Sequence, residues 1–296
     1  MNSRSFFAAA VIALAVPALL WPAASDAFGP GMRGKMRGGG MAVQEEAAPA
    51  ADAPNPEVIG AFVPPRANIT AMEKRGFLAT GLEAVYPDGF DCPKVMSPFA
   101  SPTRSDGSQR ARRFFQGLHG GMDIPQPGGT PLLALADGEV IVKHEGEQGG
   151  IGGLGLWLRH APQDTGLGKY VFIEYKHLAK LPDLAVGARV KMGQVIAETG
   201  NTGTADGYYG SAGFYHLHMT AYWSDSPEFK FNRVLIPIGG QWLDPLALMR
   251  GGPLDSHAAR DLPDAQKKVR IPFKSTDGRV FPEGTKVVWP YACKPV

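Results

Sequence analysis

The sequence predicts a mainly β fold: an antiparallel sheet with an open groove on one face and few short helices. Three observations carry this expectation. Strand-like runs recur at residues 132–136, 139–143, 154–159, 170–175, 189–199 and 214–223. Glycine-containing turns separate most of them, as turn chemistry requires. Helical patterns are few, at 69–77 and 245–250, with a less regular one at 256–268. Sequential strands joined by short turns pair antiparallel. Such a sheet rests one face on the core and can offer the other to solvent.

In chain order, the first element is an export signal. Arg4 precedes an apolar run over 6–21 that contains Pro17, and Ser25-Asp26-Ala27 supplies small residues where cleavage would occur. This is the pattern of a secretory signal peptide over residues 1–27. The run is short for a membrane span, which needs about 20 residues, so no stable span is expected after cleavage. The expected location is the periplasm or cell envelope, or the medium after secretion. Residues 28–60 are dominated by Gly, Ala, Pro and charges, a composition that buries too little apolar surface to order itself. They read as a disordered linker. Residues 61–86 form an N-terminal extension, 87–250 the main domain and 251–296 a C-terminal extension packing on it. The tail carries an Asp277-Gly278 hairpin signal. The two cysteines, Cys92 and Cys293, fit a disulfide in an exported protein and would tie the tail to the start of the domain.

Chemistry concentrates in two short motifs. His119-Gly-Gly-Met-Asp123 offers an imidazole and a carboxylate four residues apart, and His216-Leu-His218 offers two imidazoles. Neutral imidazole and carboxylate are ligand types that zinc accepts, and three protein ligands with a fourth position open is the plan of a catalytic centre. Gly120 and Gly121 disfavour a helix; a tight loop leading into an extended 122–124 segment is expected. Alternation along 214–223 places His216, His218, Thr220 and Tyr222 on one face, with Leu217, Met219 and Ala221 on the other. Local reasoning leaves open which of His119, Asp123, His216 and His218 ligate. His144, His160 and His257 have no partner at ligand spacing and read as strand-end or loop residues. A net charge of +2 gives no argument for nucleic acid, and no nucleic-acid motif is present.

The material around these motifs resembles a known family. Gly117 to Pro125, then Gly129 to Val140, are similar to the opening of a LytM/lysostaphin-type (M23) zinc metallopeptidase domain. Ser97-Pro98-Phe99, Tyr175-Lys176-His177-Leu178, the segment Val186 to Ile196 and Gly200-Asn201-Thr202-Gly203 resemble further family segments in the family's order. The resemblance spans about residues 85–250. It implies one Zn2+ per chain held by His119, Asp123 and His218, with His177 and His216 beside the metal as catalytic residues. It also implies an endopeptidase that hydrolyses peptide cross-links of bacterial peptidoglycan. The alternative is a non-catalytic factor that binds peptidoglycan or activates another hydrolase. Such relatives typically lack one of the five residues, all of which are present here. Departures occur at 145–153 and 204–215, where the chain is longer and Tyr215 replaces the usual proline. By strand alternation Tyr175 would share a face with His177, and core or groove-wall packing is its expected role.

Overall fold

In the computed structural model, which describes residues 55–145, 153–204 and 214–296, seven strands build one antiparallel sheet. The expected signal peptide and most of the expected linker lie outside the described residues, as do 146–152 and 205–213. Residues 52–296 belong to one compact unit. The central strand, His216–Ser224, pairs along one edge with Tyr170–Lys176, then Gly155–His160, Gly138–His144 and Arg189–Val190. Two short strands share its other edge: Met122–Pro125 against its first half and Gln241–Trp242 against its end.

Period-two patterning decides what each face meets. Leu217, Met219 and Ala221 are buried in an aliphatic core with Leu132, Leu135, Leu156, Leu158 and Ile173. The opposite face stays polar through Thr220 and then closes at Tyr222. That ring sits in an aromatic cluster with Phe62, Phe77, Phe99, Trp157 and Trp242. The Trp242 ring stacks on Phe77 at 4.3 Å and on Phe62 at 5.8 Å. These contacts dock the N-terminal helices, Pro56–Phe62 and Ile69–Lys74, beside the groove.

Several expected boundaries move. The chain is helical from Pro56, inside the stretch expected to be linker. Asn55 caps that helix, Pro56 fits its first turn, and Ala61 and Phe62 are buried. The 189–199 run is two strands, Arg189–Val190 and Val195–Glu198, joined by a turn with Gly193 at φ 71°. The first half pairs with Gly138 and Glu139, the second with Pro131–Leu133. That partner is shorter than the expected 132–136 run, and its register shifts between Leu132 and Leu133. The 256–268 pattern is a helix, Ser256–Arg260, followed by a 3-10 turn, Asp264–Gln266. Pro263 between them cannot continue the helix.

The tail behaves as expected at its hairpin. Phe273–Lys274 pairs with Val280–Phe281 across Asp277-Gly278. Lys294–Pro295 pairs with Phe90–Asp91, and Cys92 is bonded to Cys293 across 201 residues of sequence. Trp289 and Tyr291 of the same tail are buried in the aliphatic core. Among the described residues no helix is long and apolar enough to cross a membrane.

Candidate metal centre

Two different devices bring the site together. The first is strand register. Asp123 lies directly opposite His218 across the antiparallel pair, and Pro125 lies opposite His216. The second is the loop before Asp123. Backbone hydrogen bonds from Ala100 to the His119 carbonyl, and from His119 to the Ser101 carbonyl, hold it. A Cβ on Gly121 would sit 2.5 Å from the Met219 carbonyl and 2.8 Å from the His218 ring. Only glycine lets the loop approach that strand closely enough to deliver His119.

His119, Asp123 and His218 form a group whose geometry could hold a metal ion. His119 Nε2 is 3.1 Å from Asp123 Oδ1 and 3.2 Å from His218 Nδ1, and His218 Nδ1 is 2.8 Å from Asp123 Oδ1. His119 and Asp123 are buried, and the His218 side chain is 15% exposed. The other polar atoms of these side chains are engaged. His119 Nδ1 lies 3.0 Å from the Pro98 carbonyl, which can only accept, so Nδ1 carries the proton and Nε2 presents its lone pair. The Arg110 guanidinium donates to the Ser97 hydroxyl and lies 4.0 Å from Asp123 Oδ2. Nothing in the motifs pointed to Arg110; it lies in the loop that leads into His119 and reaches back to Ser97 and Asp123.

Electrostatics suits cation binding. Burial alone would raise the Asp123 carboxyl, but the His119 and His218 imidazoles outweigh it and hold the group well below the usual carboxylate range. Burial lowers His218 to about 4. A neutral imidazole and an ionised carboxylate are the forms a metal requires.

His177 and His216 stand beside this group. Their rings are 4.7 Å apart, and the His177 ring is 5.7 Å from that of His218. His216 Nε2 is 3.7 Å from Asp123 Oδ1. His177 Nδ1 lies 2.7 Å from the Thr202 carbonyl, and His216 Nδ1 lies 2.9 Å from the Phe214 carbonyl. Both carbonyls are acceptors only, so both rings carry the proton on Nδ1 and have a lone pair at Nε2. Burial, then the neighbouring His216, His218 and Lys176, push His177 well below its ordinary range.

His177 reaches the groove against strand alternation. Within the sheet, Glu174 and Lys176 lie opposite Thr220 and His218, whereas Tyr175 lies opposite Met219. Residue 177 would follow Tyr175 into the core. Instead its φ is 63°, a left-handed turn at the strand's end that swings the imidazole to the polar face. Tyr175 and His177 therefore do not share a face. The Tyr175 hydroxyl accepts from the Leu135 amide within the core, which is the packing role expected for it.

His160 and His257 bond backbone carbonyls away from the site. His144 ends its strand as expected but contacts Glu174, which lines the groove. The groove has a volume of about 720 Å³, and Met96, Gln126 and Tyr215 are among its lining residues. That size suits a peptide segment.

Residues 117–228 match the profile of peptidase family M23. The match places residues 117–228 of the chain in the M23 peptidase family. Solved structures similar to it include the catalytic domain of the antimicrobial peptidase lysostaphin from Staphylococcus simulans, at 24% identity over 51% of this chain and 86% of that one, with a TM-score of 0.32. LytU aligns at 25% identity over 60% of this chain and 99% of its own, with a TM-score of 0.37. A zinc-containing peptidase from Vibrio cholerae aligns at 26% identity over 46% of this chain and 34% of that one, with a TM-score of 0.32.

Proposed function

We propose that the protein is an exported zinc endopeptidase that hydrolyses peptide cross-links of bacterial peptidoglycan. One observation carries the reading: three ligand atoms converge beside two imidazoles that both present Nε2 lone pairs to the same groove. Family membership and the export pattern of residues 1–27 support the substrate and the location. The peptidase domain would span 87–250, with 61–86 and 251–296 as extensions.

In this reading His119 Nε2, Asp123 Oδ1 and His218 Nδ1 hold the ion. When bound, zinc supplies a Lewis acid and lowers the pKa of a water towards 7. The remaining work falls to the chain. One of His177 and His216 takes the water's proton at Nε2, and the other, once charged by a second proton from solvent at its own Nε2, donates from that atom to the developing oxyanion. The Thr202 and Phe214 carbonyls keep accepting from Nδ1 when the ring becomes charged, which stabilises the imidazolium and fixes its orientation. The groove walls position the peptide.

The test is digestion of purified peptidoglycan by zinc-loaded wild type, His119→Ala and His216→Ala. Release of new peptide termini by wild type alone is the expected result. No release by zinc-loaded wild type, or equal release by all three, overturns the reading.

A further inference from the structure

The mechanism leaves the buried carboxylate that lines the groove, Glu174, unused. Glu174 sits on the Tyr170–Lys176 strand, directly opposite Thr220 and one residue pair from His218. It is buried, yet neither oxygen lacks a donor. His144 Nε2 donates to Oε1 at 2.9 Å, and the Thr220 hydroxyl donates to Oε2 at 2.9 Å. The Thr220 oxygen in turn lies 3.3 Å from His218 Nε2. Two glycines concede the space. A Cβ on Gly155 would lie 2.1 Å from His144 Nε2, and one on Gly121 would lie 2.8 Å from the His218 ring. Both ends of this chain of contacts are thus built into the backbone.

The direction of each hydrogen bond follows from chemistry. An ionised carboxylate only accepts, so Thr220 must spend its single proton on Glu174. The Thr220 oxygen is then available only as an acceptor, and with a bound ion between His218 Nδ1 and Asp123, His218 would donate to it from Nε2. An imidazole that donates from Nε2 has its lone pair on Nδ1, the atom that faces Asp123 and His119. We propose that Glu174, acting through Thr220, is a positioning residue that selects the His218 tautomer and orientation needed to ligate the metal, with His144 holding Glu174 in place. This rests on the zinc reading above and deepens it. Groups that orient a ligating histidine and raise its basicity typically change metal affinity 10–100-fold.

The experiment uses the full chain stripped of metal. Zinc affinity is measured by competition with a chromophoric chelator for wild type, Thr220→Val, Thr220→Ser and Glu174→Gln. Thr220→Val keeps the shape and loses the acceptor; it is expected to weaken zinc binding about 10–100-fold. Glu174→Gln keeps the size without the charge and is expected to weaken binding in the same direction. Thr220→Ser restores the hydroxyl and is expected to return affinity to within about threefold of wild type, a rescue that mere packing would not produce. In the zinc-loaded wild type, the His218 Nε2 proton is expected as a protected resonance in nitrogen-15 spectra. A folded Thr220→Val with wild-type affinity overturns the relay while leaving the zinc reading intact. If Thr220→Val does not fold, unchanged affinity in Glu174→Gln, or an unprotected Nε2 proton in wild type, overturns it instead. A wild type that binds no zinc overturns the functional reading, and the relay with it.

Discussion

The two faces of the His216–Ser224 strand differ in what they are for. Leu217, Met219 and Ala221 are all at most 1% exposed and join an aliphatic core. One residue away in each case, His216, His218 and Thr220 turn polar groups to the groove. Stability and chemistry thus share a backbone but not a face. The arrangement implies that each can be damaged with little effect on the other. It also explains why the polar face needs help: His216 and His218 are each held by a carbonyl, carboxylate or hydroxyl.

The sharpest way to break this comparison is at the ligands. His119→Ala or Asp123→Ala is expected to abolish zinc binding and to lower peptidoglycan cleavage roughly a thousandfold or more, since the metal contributes several kcal/mol. Thermal unfolding of the metal-free forms should stay close to that of metal-free wild type. Substantial unfolding of either variant would show that the polar face also carries the fold. Next, His177→Ala and His216→Ala are expected to reduce turnover about 10²–10⁴-fold while retaining zinc. Steady-state kinetics alongside metal content separates these outcomes from loss of the ion.

On the other side of the comparison, opening the Cys92–Cys293 bridge should act on stability alone. By the chain-entropy relation, a loop of 201 residues corresponds to about 5 kcal/mol. Denaturant unfolding of a Cys92→Ala, Cys293→Ala double variant reads this directly, with zinc affinity expected to be unchanged. A smaller effect is expected at Asp244, which caps the Pro245–Arg250 helix and accepts from Thr80. Burial raises its carboxyl from 3.8 to about 6. The folded pKa lies above the unfolded one, so its contribution is present below pH 4 and is lost as pH rises through 6. Two units correspond to about 3 kcal/mol. Wild-type stability should fall over this window relative to Asp244→Asn, and parallel melting curves from pH 4 to 7 would refute the assignment.

How legible the site was depends on how each residue is placed. Asp123, His216 and His218 follow from period-two alternation and a loop signal, and the register shows them opposed or adjacent. His177 was reachable only through family resemblance. Its left-handed turn reverses the face that alternation assigns, and such a turn is uncommon at any residue other than glycine. Glu174 and His144 lie outside every motif. They matter only because sheet pairing puts Glu174 beside Thr220 and because Gly155 leaves room for the His144 ring. Arg110 comes to Asp123 on a loop whose path depends on its packing.

The amino-acid sequence alone determined the mainly β class, most strand positions, the hairpin at Asp277-Gly278, and the residue types of a metal centre. These depend on short-range rules: alternation, turn chemistry and ligand chemistry. Tertiary structure alone decided that Pro56 to Phe62 is helical, that the 189–199 run divides between two partners, and which imidazole nitrogens converge on Asp123. Those outcomes depend on which groups meet across the sheet and on the donors and acceptors already committed there. Such pairings are set by the whole fold, which the period of a single strand does not encode.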